Sequence, residues 1–271
     1  MRIPPVRIAD FRSRVWDNYD HQRRAMPWRD DHSFYAVLVS ELMLQQTQVT
    51  RVIPKFHEFM RRFPTIEILA DAPLADVLIA WQGLGYNRRA KYLHEAAKAI
   101  VLCGVPQTRD ELIALPGIGA NTAGAIMAYA YNKPEAFVET NIRTVYLHEF
   151  FLGQKSVTDA QIIEYVAATI DRTNPRKWYW ALMDYGRYLK AHSLGDISAS
   201  RHYKKQTPFQ GSLRQVRGAI LRELTHGPTD TRQLKRHSSE HFDAVRDGLI
   251  RDGLIEQHGD IICLTAHSDQ S

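Results

Sequence analysis

Apolar residues recur along this chain at the spacing of one helix face, and that pattern predicts most of its elements. In FYAVLVSELMLQQTQV, apolar residues stand at 34, 37, 38, 42 and 44, close to a helical stripe. VTRVIPKFHEFMRRF continues the pattern with a proline inside it. IEILADAPLADVLIAWQGLGY predicts two short helices, with Asp71 in the N-cap region of the second. NRRAKYLHEAAKAIVLCG predicts an amphipathic helix that Gly104 ends. RDELIALPGIGANTAGAIMAYAYN predicts a helix, a Pro-Gly-Ile-Gly turn and a second helix. Further helices fit 141–151, 158–172 and 175–192. Alternating strand patterning is not seen before residue 254, and no segment repeats. The expectation is an all-α principal domain.

The pattern breaks at 193–211, SLGDISASRHYKKQTPFQG, which is polar, carries Gly and Pro and has no apolar period. It reads as a linker. Beyond it, 212–266 predicts helix, short helix, helix and then two short strands around His258, Gly259 and Asp260. That order is a winged helix, a helix-turn-helix variant. Its third helix carries Arg246 and Arg251, few cations for a helix that reads DNA, so DNA contact and protein packing are both open.

A chain of 271 residues is long enough for two domains, or for one with an appendage. The net charge of +5 and pI near 9.2 favour a polyanionic partner, nucleic acid first, though only weakly. The cysteines, Cys103 and Cys263, exclude a disulfide framework and any site needing four thiolates. The N-terminus carries Arg2, Arg7, Arg12 and Arg14 without an apolar core, so it does not read as a secretory signal. No apolar run approaches the ~20 residues that span a bilayer. These features predict a cytoplasmic protein without a membrane partner.

Candidate chemistry concentrates in a few stretches. LPGIGANTAGAI, 115–126, places Gly117 and Gly119 two apart at the opening of a helix, with Asn121 and Thr122 in its first turn. Backbone N–H groups there can hold a phosphate, although a plain helix–helix turn also needs glycine. With a helix before it, the stretch fits a helix-hairpin-helix, which grips a DNA backbone without reading bases. QGLGYNRRAKY adds a second glycine turn followed by Arg88, Arg89 and Lys91, cations that either meet phosphates or are solvated. Glu41 sits among Val37, Leu38, Val39, Leu42 and Leu44; it is either a solvated edge residue or a desolvated carboxyl that holds a proton near neutrality. Gln45 and Gln46 can cap that helix or enter a base stack. In ETNIR, Glu139 is either a catalytic carboxylate or a helix cap.

MPWRDD, the run from VSELMLQQTQ to KYLHEAAK, LPGIGANTAGAIMAYAY and VETNIRTVY together resemble the MutY-type adenine DNA glycosylases of the helix-hairpin-helix–GPD superfamily, kin to endonuclease III. The resemblance covers about 26–190. It implies an all-α glycosylase domain over 1–192: a six-helix barrel over about 30–135, and a second helical subdomain formed by the N-terminus and 136–192. It implies flipping of a base from the duplex and hydrolysis of its N-glycosidic bond. Position by position, Glu41 matches the acid that protonates adenine, and Glu139 falls where the family has an Asp that stabilises the cationic sugar. Asn141 matches a supporting Asn. Gln45, Gln46 and Tyr86 match the wedge that enters the stack. Trp28, Arg29, Leu44, Thr47 and Val49 match the wall of the base pocket. Arg88, Arg89, Gly117, Gly119, Asn121 and Thr122 are the remaining expected DNA contacts, with a monovalent cation admissible at the hairpin turn.

The chain departs from that pattern in ways that matter. Glu139 is one methylene longer than Asp, which alters the room for an attacking water. Asn121 stands where bifunctional relatives have the Schiff-base lysine, so lyase activity by that route is not expected. The loop that carries four cluster cysteines reads RYLKAHSLGDISASRHYK, which predicts a member without iron–sulfur and leaves any DNA contact there to Arg187, Lys190, Arg201, Lys204 and Lys205. The short winged helix does not resemble the larger Nudix-like domain that reads 8-oxoguanine. Trp180 aligns with a polar residue facing the flipped adenine, or else is simply core. The default reading is a monomeric, monofunctional glycosylase for adenine opposite 8-oxoguanine or guanine in double-stranded DNA. A glycosylase for another mispaired, damaged or modified base, and a non-catalytic DNA-binding protein, are the alternatives.

Overall fold

The computed structural model describes residues 3–195, 198–201 and 210–265. In chain order the helices are α1 (Pro5–Gln22), α2 (Pro27–Asp30), α3 (Phe34–Leu44), α4 (Val49–Arg62), α5 (Ile66–Asp71), α6 (Leu74–Ala80), α7 (Arg88–Cys103) and α8 (Arg109–Ile113). They continue as α9 (Ala120–Tyr129), α10 (Thr140–Phe150), α11 (Asp159–Thr169) and α12 (Pro175–Ala191). The C-terminal segment holds α13 (Leu213–Leu224), β1 (Thr229–Asp230), α14 (Thr231–Leu234), α15 (Phe242–Arg251), β2 (Ile255–His258) and β3 (Ile261–Leu264). Most starts have a local cause. Thr108 with Glu111 and Thr158 with Gln161 form capping boxes at α8 and α11. The Ser212 hydroxyl accepts from the Gln215 N–H at α13. Among the described residues no helix is long and apolar enough to cross a membrane.

By its contacts the chain divides into two compact units. The first is Met1–Val37, Gln107–Ala114 and Ile118–Lys205. Its core forms where α1 and α10 pack on α12. Phe11 meets Tyr146 at 5.4 Å and Trp178 at 5.8 Å between ring centres, and Phe137 stacks on Tyr179 at 4.2 Å. Gly186 makes the contact of α12 with α10 possible. A Cβ there would lie 2.4 Å from the Asn141 carbonyl oxygen, a separation no side chain tolerates.

The second unit is Leu38–Pro106, Leu115–Gly117 and Gln206–Ser271. In it α5 and α6 pack on α7 around Phe59, Phe63 and Trp81. The C-terminal segment is grouped with this unit. There α13 and α15 enclose Val216, Ile220, Phe242 and Leu249 above a three-stranded antiparallel sheet of order β1-β3-β2, with Ile255 opposite Leu264 and Thr229 opposite Ile262.

Two local expectations are corrected. Asp71 is the last residue of α5 and does not cap α6; Pro73, with φ fixed near the helical value, precedes α6 instead. Extended pairing also begins before residue 254, in the two-residue β1 and in a parallel bridge between Val157 and Ser200. Two residues cannot display an alternation, so no period announced either.

Candidate functional site

Glu139 ends an apolar approach, Phe137–Val138, and is the N-cap of α10. Its Oε1 accepts from the backbone N–H of Asn141 at 2.7 Å and of Ile142 at 3.1 Å. Burial pushes this carboxyl above its ordinary range, while those two N–H groups and the charges of Lys190 and Arg143 pull it down. From α12, the Lys190 ammonium donates to Asn141 Oδ1 at 2.8 Å. Burial lowers the pKa of Lys190, and the Glu139 charge opposes that. Arg143 forms a two-pronged pair with Asp159 at 2.8 and 2.7 Å. The first turn of α10 thus carries one acceptor-rich carboxylate among three nearby cations and amides. Lys190 is half-buried inside this group, which corrects its expected place on a DNA-facing surface. Arg187 and Arg201 are exposed, and Lys204 and Lys205 lie outside the described residues.

The second group of the first unit centres on buried Asp184 of α12. Arg24 Nε reaches its Oδ1 at 2.6 Å, and Arg29 Nη1 reaches its Oδ2 at 2.7 Å. Arg29 also donates to the carbonyls of Arg24 and Trp180 and lies over the Trp180 ring at 5.6 Å. Trp28, the buried residue of α2, is held on this short helix. Trp180 is half-buried, in contrast to fully buried Trp178 and Tyr179 beside it, so it is not a core residue of their kind.

At the hairpin, α8 packs on α9 in the same unit. Gly119 is the N-cap of α9, Asn121 is exposed with Oδ1 accepting from the Val138 N–H at 3.4 Å, and Thr122 is half-buried. Gly117, counted with the second unit, has φ +75° and presses on Tyr92; a Cβ would come within 2.6 Å of Tyr92 Cβ.

In the second unit, Glu41 is the lone charged residue of α3, half-buried between buried Ser40 and Leu42. Arg89, expected at a phosphate, is buried instead. Its guanidinium donates to the carbonyls of Leu42, Met43 and Gln45 at 2.6, 2.9 and 2.5 Å, and to Gly85 at 3.0 Å. It also reaches Thr47 Oγ1 at 3.0 Å. Desolvation pushes its pKa down to about 10. The Leu42 and Met43 carbonyls are among those that the C-terminus of α3 leaves unpaired, so Arg89 caps α3, and its bond to Gly85 ties that end to the Gly83–Tyr86 turn. Arg88 is likewise engaged, paired with Asp252. Leu44 and Val49 are half-buried at the end of α3 and the start of α4. The residues between them include Gln46 with φ +55°, and Tyr86 has φ +48°. Non-glycine residues in that region cost about 1–2 kcal/mol each, strain that the Arg89 network offsets. Both side chains are exposed on turns fixed from beneath.

Residues 39–167 match the model of the HhH-GPD superfamily base excision DNA repair proteins. The adenine DNA glycosylase of Mycolicibacterium smegmatis is 34% identical over 96% of this chain and 95% of its own length. That of Buchnera aphidicola subsp. Baizongia pistaciae is 35% identical over 78% of this chain and 63% of the relative. The chain belongs to the HhH-GPD superfamily. A thermostable thymine-DNA glycosylase shares the fold, with a TM-score of 0.60 at 24% identity over 66% of this chain and 86% of that one. With 96% of the chain aligned, the alignment to the Mycolicibacterium relative extends into the C-terminal segment.

The resemblance to the MutY-type glycosylases implies a four-thiolate iron–sulfur cluster. Here Cys103 is exposed at the end of α7 and Cys263 is half-buried in β3, and a donor set of two cysteines does not fit such a cluster. Sequence reasoning missed Asp184, Asn141's lysine partner and the structural role of Arg89. Only ALMDYG, with its single acid in an otherwise neutral stretch, signalled Asp184.

Proposed function

We propose that this chain is a monofunctional DNA glycosylase that excises adenine opposite 8-oxoguanine or guanine. The identity to the Mycolicibacterium adenine DNA glycosylase, spread over nearly the whole of both chains, carries the reading. In it, Glu41 protonates the departing base, a step worth ~10²–10⁴-fold. Glu139 supplies negative charge to the sugar as the bond breaks, and its two backbone N–H bonds fix the carboxylate in advance. Asn141, held by Lys190, keeps its amide oriented beside that carboxylate. The exposed Gln46 and Tyr86 enter the base stack from their pre-set turns. Asn121 offers an amide that cannot form a Schiff base, so the product is an intact abasic site. The protein works as a monomer without an iron–sulfur cluster.

Single-turnover excision on a panel of mispaired and damaged duplexes tests this. Adenine release is expected, with an alkali-labile product, and Glu41→Gln is expected to abolish it while duplex binding persists. A second reading, excision of a different base, is favoured by the half-buried Trp180 beneath the Arg29 guanidinium, where a polar residue would suit adenine better. Release of another base by the wild type, with adenine duplexes inert, would establish it.

A further inference from the structure

The second unit contains a cleft of about 880 Å³ with an uneven charge. Its lining includes the arginines at 51, 88, 89, 214, 217 and 222, against the single acid Asp252. One wall is the wedge region, with Gln45, Gln46 and Tyr86; the other is α13 of the winged-helix segment.

The arginines divide by what they already do. Arg89 is consumed by backbone carbonyls. Arg88 and Arg217 both pair with Asp252, whose side chain is 8% exposed, and Lys91 donates to the Asp252 carbonyl at 2.9 Å. Burial pushes the Asp252 carboxyl up, but the hydrogen bonds and charges of Arg88 and Arg217 outweigh it and hold the pKa below its usual range. Asp252 caps the C-terminus of α15. The third helix of this segment, the one that enters the major groove in most helix-turn-helix proteins, therefore ends in an anchor to α7. Its own Arg246 is turned onto Asp243 and Asp247 at 3.0 and 2.8 Å and over the Phe242 ring.

Anchoring α15 leaves α13 as the wall of the cleft. Arg214, Gly218 and Arg222 follow one another at four-residue steps along it, and all three line the cleft. Arg214 and Arg222 stand about 12 Å apart along the axis. Arg214 donates to the Tyr86 hydroxyl at 3.2 Å, which places its guanidinium at the wedge itself. Arg222 is exposed, and a Cβ on Gly218 would meet nothing within 4 Å. A basic, amide-edged cleft beside an exposed tyrosine suits a phosphate chain with bases better than an apolar protein partner.

We propose that α13 is a DNA-contacting surface in which Arg214 and Arg222 bind phosphates of the duplex that the Gln46–Tyr86 wedge enters, so the winged helix grips DNA through its first helix and not its third. The inference rests on the reading of the chain as a DNA glycosylase, in that the wedge and α13 serve one duplex.

The test is binding of the full chain to a dye-labelled duplex, followed by anisotropy from low to moderate salt. Losing two phosphate contacts in Arg214→Ala/Arg222→Ala should weaken binding and reduce the slope of log K against log salt by about 1.8. Gly218→Glu, which puts a negative side chain into open space, should also weaken binding with little change in melting temperature. Arg246→Ala should bind like wild type. Unchanged affinity and slope in both cleft variants would overturn the proposal and assign the cleft to a partner other than DNA. A loss confined to Arg246→Ala would overturn it in favour of the third helix. Wild-type excision is scored separately: a salt slope that falls as expected, in a protein that releases no base, would retain this surface and remove the glycosylase reading.

Discussion

At Glu139 a cap and a candidate catalytic carboxylate are the same atoms. The side chain satisfies two N–H groups of α10 while burial raises its pKa. Gln keeps an oxygen acceptor but no charge, so Glu139→Gln separates the two roles. Excision is expected to fall by at least ~10²-fold, with the fold intact; a fast enzyme with a lowered melting temperature would leave Glu139 as a cap only. The sign of its linkage follows from the raised folded pKa. The native state binds this proton more readily than the unfolded chain, so the contribution is full below the ordinary carboxylate value and is lost as pH rises through the raised one. Wild type should therefore lose stability relative to Glu139→Gln across that window, read from denaturant midpoints at several pH values. Lys190 bears on the same group. Its charge favours the Glu139 carboxylate and its ammonium orients Asn141. Lys190→Met should move the acidic limb of the pH–rate profile to higher pH, and Lys190→Arg should move it back towards wild type; an unmoved limb in Lys190→Met would reduce Lys190 to packing.

Among the elements, α12 organises most of the first unit. It meets α1 and α10, carries Gly186 at the close approach to Asn141, and presents Asp184 to Arg24 and Arg29. Asp184 is 1% exposed at its side chain, so removing it leaves two cations facing a dry site. Asp184→Ala is expected to cost about 3–5 kcal/mol, seen as a shifted denaturant midpoint. It should also lower excision, since the α2 segment with Trp28 is tethered through the same pair. A loss under ~1 kcal/mol would show that water reaches these charges. The C-terminus of α3 is governed in a similar way by Arg89, whose planar fork of donors reaches several carbonyls at once; a lysine offers one charge centre and cannot replace that geometry.

For the molecule as a whole, the winged-helix segment is grouped with the second unit, and Asp252 joins α15, α13 and α7 at one point. Its depressed pKa means the anchor's contribution is present above the unfolded carboxylate value, about 3.9, and is lost as pH falls through the lower folded value. Asp252→Asn should raise backbone hydrogen exchange in α13 and α15 at neutral pH, while exchange in α5 and α6 stays as in wild type. Equal protection in variant and wild type would mean that apolar packing alone holds the segment.

What the sequence determined by itself is what short-range regularity encodes. The helices from α3 onward follow from a period of 3.6, whereas α1 and α2 are not read from it; the α8–α9 hairpin follows from LPGIG, the winged-helix order from its spacing, and the misfit to a four-thiolate cluster from two cysteines. The family was legible because its motifs are long and contiguous. The assignment of charge was not. Arg88, Arg89 and Lys91 look alike in NRRAKY, yet one pairs with Asp252, one is buried under α3, and one donates to a carbonyl of α15's cap. Arg29 meets Asp184 across 155 positions and Arg88 meets Asp252 across 164. No periodicity spans such separations. Whether a cation is free for phosphate depends on which acid or carbonyl the packed chain brings beside it, because desolvation makes an unpaired buried charge too costly to keep; only the tertiary structure makes those choices.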